Sequence, residues 1–565
     1  MVQLRVGAGR ARANTTTTQE EWVRNSEWLD MPNFAYDDYK IAILCRIDEN
    51  EENYFGFYID TNPAYNITID WGDGTVESTQ SRQDNYHEYD YSNSELDGSL
   101  TSDGYKQALI TITLPVDIPV YNFYLTRQRV GKWVYHVAKY LDVKVAVPTL
   151  QLFRASQSTA YIPLYLEHVE IMSASFTSCI QMFYYCPNLQ KVTLGENVEV
   201  TNSTVNCQNM FFYCKSLPNK EIHNVVNTLL TNKSITDAYR MFHSCFQLIE
   251  GPPLDTSTLT RSQEMFSSCY GLIKVPLYDF SNTTGGYATF TNCYSLTEVP
   301  HFDTSSYTDM RRYFTSCQSL ATIPPFNTSN VTLMDNFFAG CINLISVPLL
   351  DTSSVINFSG FFQSCYALES VPQLDYSSAT GNAFTMTFWA CYSLKGHIKI
   401  NANITGTNSG LYRTFYSANQ IEKVTIEGDF IPEYIYGCRE TFNGCSSLRE
   451  FVVTGTFDTS AIQWFYRFMN GCTALPELPY TIDMTSANRN DNCFTSNYMR
   501  RELLASNVTE SLWIDNCNLD ATELNRIFTE VLGTTSGETV FITNSTGAAT
   551  CDKTIATAKG WTVTG

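Results

Sequence analysis

The sequence predicts an α/β repeat: a solenoid with one short strand and one helix per coil, preceded by an all-β sandwich. Two observations on the array carry the first half of that expectation. Cys245, Cys269, Cys293, Cys317, Cys341 and Cys365 follow one another at intervals of 24 residues. A Phe stands three residues before each (Phe242, Phe266, Phe290, Phe314, Phe338, Phe362) and a Leu three after (Leu248, Leu272, Leu296, Leu320, Leu344, Leu368). A third observation carries the sandwich: Tyr65 to Glu77, YNITIDWGDGTVE, alternates as a strand and runs into a tight Gly-Asp-Gly turn.

Composition bounds the functions open to such a chain. Of 565 residues 16% are charged, below the ~25% of ordinary globular domains, while 44% are hydrophobic and 14% aromatic, which excludes disorder. Acids outnumber bases 57 to 36, a formal charge of −21, which disfavours phosphate backbones as partners, so no nucleic acid is expected. No stretch approaches the ~18 consecutive apolar residues of a membrane span, and no membrane insertion is expected. Met1 to Asn14 carries Arg5, Arg10 and Arg12 without an apolar core, so no export signal is expected either.

Residues 1–40 read as an arm that orders on a partner, with Trp22, Trp28 and Leu29 as candidate attachment anchors; an ordinary first element packed on the sandwich is the equal alternative. Residues 41–118 hold the sandwich, with Trp71 in its core and Gly72, Asp73 and Gly74 shaping the turn. Calcium at Asp70 and Asp73 is disfavoured because two carboxylates are too few. Residues 119–165 supply a connection and the first cap, 166–500 the solenoid, and 501–565 a last repeat and cap. Within SLWIDNCNLDATELNRIFTEVL an amphipathic helix is expected, starting near Asp520.

Each coil reads F-x-x-C-x-x-L-x-x-(V/I)-P-x-x-D-T-S, and irregular copies at Cys186, Cys214, Cys391, Cys445 and Cys472 bring the count to eleven. Phe, Cys and Leu at steps of three suggest one side of a helix; the Val-Pro segment suggests a strand; Asp-Thr-Ser suggests an Asx turn or helix cap. The longer coils around 215–240 and 395–437 are expected to bulge. The cysteines read as small buried side chains. Helix packing at ~8–10 Å would hold neighbours beyond disulfide reach, and Cys179, Cys207 and Cys438 share a slot that elsewhere takes Met and Phe.

This unit resembles the BspA-like leucine-rich repeats, which implies a right-handed leucine-rich-repeat solenoid. The W-G-D-G-T turn, His87-Glu-Tyr89 and Gly104-Tyr105 resemble a PKD-like domain, and the K-G-W-T-V ending resembles repeat proteins encoded by bacteriophages. The seven histidines are scattered and no catalytic or cofactor motif occurs, so neither an enzyme, a cofactor nor a metal is expected. Together the resemblances imply a virion structural protein, a fibre, appendage or capsid-surface protein. Its arm would dock on other virion proteins and its solenoid on a host protein or glycan. The sequence leaves the oligomeric state open, and the analogy with phage fibres implies a trimer. The alternatives are a cell-surface adhesin of a bacterium or protist and an intracellular protein-binding scaffold.

Overall fold

The computed structural model describes residues 22–565 apart from 50–52, 126–135, 138, 157–160, 477–479, 498–502 and 504. Its amino-terminal strands are β1 (Lys40–Ile47), β2 (Tyr54–Thr61), β3 (Asn66–Asp70), β4 (Val76–Gln80), β5 (Asp84–Glu88), β6 (Lys106–Thr113) and β7 (Val120–Tyr124). Then come β8 (His136–Val137), β9 (Tyr140–Ala146), β10 (Phe153–Arg154), β11 (Tyr161–Ile162), β12 (His168–Phe176) and β13 (Lys191–Val200). One sheet runs β13-β12-β9-β1-β6-β3-β4 and the other β10-β7-β2-β5. Alternate residues of β1 (Ile41, Ile43, Cys45) join Phe55, Phe57, Ile67 and Trp71 in a fully buried core. Its other face is buried as well, with Trp28 beside Leu44 and Phe34 beside Ala42, which explains the unbroken apolar run IAILC.

The sandwich passes into the solenoid without a seam. β1 pairs antiparallel with β6 and β9, whereas β9, β12 and β13 pair parallel, as coils of a solenoid do. The second sheet makes the same change, antiparallel from β2 to β7 and parallel from β7 to β10. The sandwich thereby closes the amino-terminal end of the array, whose apolar core would otherwise meet water. One hydrophobic cluster extends from Tyr39 to Trp561.

A helix in every coil is not what the structure shows. The Phe-x-x-Cys segment is a stack of tight turns carrying two left-handed residues, such as Arg240 and Ser244, then Glu264 and Ser268. Alternate amides bond to the neighbouring coil (Arg240 N to Gln263 O, Phe242 N to Met265 O, Ser244 N to Ser267 O). Those between close back on their own coil (Met241 N to Ala238 O, His243 N to Arg240 O, Cys245 N to Phe242 O). The reason is spacing. From Phe242 to Phe442 successive rings of the Phe column, Phe415 included, lie 5.3–5.9 Å apart and within 19° of parallel. Coils so close stack like strands, ~4.8 Å apart, and leave no room for helices ~10 Å wide. The expected strand is also reduced: in the strict coils the Val-Pro segment keeps only single coil-to-coil bonds such as Ile273 N to Ile249 O, because the following Pro has no N–H to donate.

The same spacing corrects the argument about the cysteines. All are free, and it is not helix packing that keeps them apart. From Cys214 to Cys472 each column thiol instead donates to the Phe carbonyl of the preceding coil, for example Cys269 to Phe242 at 2.9 Å, Cys293 to Phe266 at 3.2 Å, Cys317 to Phe290 at 3.1 Å and Cys341 to Phe314 at 3.0 Å. In these examples that carbonyl already accepts its own coil's Cys N–H, so both lone pairs are used. Burial pushes the Cys341 thiol up to about 12, so it keeps the proton it donates. Cys317→Ala is expected to cost about 1–2 kcal/mol in chemical denaturation, for a lost bond and a small void. Cys317→Ser should cost less because it keeps a donor; the opposite order would mean that the slot is merely apolar.

Asp-Thr-Ser forms the Asx turn of the first alternative and caps no helix. Asp255 Oδ1 accepts Ser257 N at 3.0 Å and Oγ at 2.7 Å, and Asp351 and Ser353 repeat the pattern. The Thr hydroxyl ties coil to coil, Thr304 to Asn327 O at 2.8 Å and Thr328 to Asp351 O at 2.7 Å. Where coils were expected to bulge, 215–240 holds helix α1 (Asn219–Leu230), and 395–437 holds a further full coil centred on Phe415 and Ala418. At the far end α2 (Ala521–Arg526) is capped by Asp520, whose carboxylate accepts Glu523 N at 2.9 Å, and continues as a wider turn to Val531. Helix α3 (Lys553–Ala558) follows, and the Trp561 indole donates to Gly533 O at 2.7 Å, sealing the last coil.

Candidate binding surface

Every Phe, Cys and Leu of the repeat motif, from Phe242 to Leu368, is buried at 0% exposure. These residues build the scaffold, and what can meet a partner is the set of slots between them. The slot after each Cys sits at a corner of the coil and holds Phe246, Tyr270 and Tyr294 in succession, their rings stacked at 4.3 and 4.8 Å. Tyr366 and Tyr392 resume the stack at 5.1 Å. Further along the same segments Ile249, Leu277, Ile345 and Leu349 are exposed, Leu277 at 69% and Leu349 at 67%. These exposed apolar residues are interrupted, with Thr297 and Ala321 between Ile249 and Ile345 and His301 and Pro325 between Leu277 and Leu349, so it is the ring stacks that run from one coil to the next.

A second set of slots lies on the stacked turns and holds tyrosines and arginines among other polar residues. In the amino-terminal half three of the arginines there are matched, Arg240 by Glu264 at 2.8 Å, Arg261 by Asp237 at 2.9 Å and Arg311 by Asp309 at 2.7 Å, while Arg312 has no ion pair among the described residues. Arg261 also lies 4.5 Å from the Tyr239 ring and Arg311 5.3 Å from Tyr287, so each charge is both neutralised and stacked. Where sandwich meets solenoid, an open groove of about 520 Å³ is lined by Asp117, Thr149, Gln151, Ser175, Thr177 and Thr201.

The turn motif of the sandwich forms one cluster. Trp71 is buried, stacks on His87 at 4.9 Å and donates its indole N–H to Glu77 at 2.8 Å, while Tyr89 donates its hydroxyl to Trp71 O at 2.6 Å. Asp73 uses Oδ2 on His87 at 2.8 Å and Oδ1 on Thr75 N at 3.1 Å. Burial alone would raise its pKa; the His87 and Thr75 hydrogen bonds overcome that and hold it below the ordinary carboxylate value. Gly72 and Gly74 both have positive φ, as the turn requires.

The candidate anchors are spent inside the chain. Trp28 is buried and donates to Tyr105 Oη at 3.1 Å; Leu29 N donates to Gln107 at 3.0 Å; Trp22 stacks on His168 at 4.8 Å. Arg24 fixes the segment by donating to Asp142 at 3.0 Å. The arm expectation is corrected for 22–34, which cover the outer face of the first sheet, and for residues 1–21 it lies outside the described residues. Among the described residues no group of three His, Cys, Asp or Glu side chains could hold a metal ion, and no helix is long and apolar enough to cross a membrane.

The family described as the BspA type leucine-rich repeat region matches residues 154–235 and 179–321. Residues 154–321 are thus leucine-rich repeats of this type. A second family, described as a Mycoplasma protein of unknown function, matches residues 284–400 of the leucine-rich repeats. No curated protein matches the chain. Among solved structures, a leucine-rich-repeat protein from Bacteroides ovatus is similar at 14% identity over 64% of this chain and 89% of that one, with a TM-score of 0.26. A leucine-rich-repeat protein of Leptospira interrogans is similar at 9% identity over 57% and 85%, with a TM-score of 0.17. This leucine-rich-repeat array departs from a helix-per-repeat pattern in building its outer side from stacked turns.

Proposed function

We propose that the chain is a non-enzymatic adhesion protein that presents its solenoid to a protein or glycan on a cell surface. The observation that carries this reading is the ring column of half-buried Phe246 and the exposed Tyr270 and Tyr294, beside exposed Ile and Leu, an arrangement of rigid, amphipathic side chains suited to contact. At its finest the reading is a bacteriophage virion protein, a fibre, appendage or capsid-surface component. The PKD-like turn cluster around Trp71 and the terminal K-G-W-T-V support it. The match to a family described from Mycoplasma favours a second reading, a bacterial surface adhesin.

Tyr270→Ala combined with Tyr294→Ala is expected to weaken adhesion to host cells at least tenfold, about 1.4 kcal/mol or more, without moving the unfolding midpoint. Unchanged adhesion would sink the ring column as the contact. Mass spectrometry of purified particles decides the virion assignment, and absence of the chain would leave the bacterial reading. The deletion that tests the arm removes residues 1–21 alone, since Trp28 and Phe34 belong to the folded core.

A further inference from the structure

We propose that the arginine and aromatic cluster of residues 412–489 is a binding site for a carboxylated polysaccharide, a polymer of uronic acid units. It deepens the adhesion reading above and rests on it. Four rings surround the Arg439 guanidinium, with centroids of Tyr412, Tyr436, Trp464 and Tyr466 at 5.5, 5.9, 5.5 and 5.6 Å. Arg489 lies 4.7 Å from both Trp464 and Tyr466, and Arg467 lies 5.0 Å from Tyr466. These residues come from successive coils, so the pattern of ring and guanidinium advances along the axis of the solenoid.

Charge sets this cluster apart from Arg240, Arg261 and Arg311, each of which is paired with a different carboxylate. Arg413 and Arg439 share one carboxylate, Glu440, at 2.7 and 3.5 Å, and Glu440 is itself buried. Arg489 has Asp491 at 2.9 Å. Arg467 has no ion pair among the described residues. Four guanidiniums thus face two carboxylates, a cationic excess in a chain whose net charge is −21. Guanidinium forks match carboxylates two bonds at a time, and the rings beside them, with Tyr436 and Trp464 standing edge-on at 84°, offer apolar surface to the C–H groups of a pyranose. A site that repeats coil by coil suits a ligand that repeats unit by unit.

The test uses the full chain and polygalacturonate, with its methyl ester as the same polymer stripped of charge. Calorimetric titration is expected to show polygalacturonate binding that weakens as salt rises, and the ester binding at least tenfold more weakly. Arg467→Gln with Arg489→Gln should lose at least tenfold in Kd with the unfolding midpoint unmoved. Should that variant misfold, Arg467→Lys with Arg489→Lys, which keeps charge but not the fork, should bind between the parent and background. Equal binding of acid and ester, no binding of either, an unaffected glutamine variant, or full displacement by poly-glutamate peptide would overturn the proposal. Adhesion to cells that persists without polygalacturonate binding overturns this site alone. Loss of adhesion in the Tyr270 and Tyr294 variant with polygalacturonate binding retained supports two separate surfaces.

Discussion

Phe314→Ala is expected to destabilise the protein by about 3–5 kcal/mol, the cost of opening a ring-sized void in a packed core. The Phe314 ring touches its column neighbours Phe290 and Phe338 at 5.8 and 5.9 Å, and Phe337 meets it edge-on at 5.6 Å, so no neighbour can close over the gap without breaking its own stack. The damage should be local. Each coil contacts only the next, so the array responds as a chain of nearest-neighbour interactions. Amide exchange should therefore accelerate most in the coils around 290–341 and least in the sandwich. A uniform change along the chain, or a loss below 1 kcal/mol, would contradict the spine as the source of stability.

Gly72→Ala should cost about 2–4 kcal/mol for two reasons that reinforce each other. At φ +77° an added Cβ is strained, and it would stand 2.5 Å from Leu109 O, inside the backbone of a neighbouring strand. Gly74 is the internal control: its φ is +88°, but the nearest atom to an added Cβ is Glu95 Cγ at 3.5 Å, so Gly74→Ala should cost only the conformational share, about 1 kcal/mol. Leu109 sits in β6, which is bonded to β1 and through it to β9. The fall in thermal midpoint should thus appear in the first coils as well as in the sandwich. Equal costs for the two glycines would exclude the contact with Leu109.

What could be read from the sequence was a repeating unit with few exceptions and one distinctive turn. The Phe, Cys and Leu columns, the Asx corner and the Trp71 turn were visible because packing or backbone geometry tolerates almost nothing else at those positions. Of the departures in secondary structure, the helix expected in every coil is the largest. Phe, Cys and Leu recur at steps of three, and in a helix each such step turns back by about 60°, which would spread the trio over a third of the circumference. Tight turns keep it on one side. The small residues before Cys, namely Ser244, Ser268, Asn292, Ser316 and Gly340, were the available signal, since every one has positive φ.

The coil of Phe415 escaped because Ala418 and Ile421 stand where Cys and Leu were sought. Its neighbours in space therefore could not be placed in register from the sequence, and the cluster around Arg439 depends on that register. Likewise nothing in the alternation of β1 distinguishes a strand buried on one face from one covered on both. Trp28 and Phe34 decide that through tertiary packing alone.

The unbroken passage from sandwich to solenoid has a mechanical meaning. Tension applied between the two ends of the molecule acts along the axis on which coils are stacked, so the bonds joining one coil to the next are loaded along their own length and part in sequence rather than together. Each coil of 24 residues that peels away releases roughly 80 Å of extended chain at ~3.3–3.6 Å per residue. An array of this build lengthens in steps under pull, absorbing work while the remaining coils keep their rings stacked.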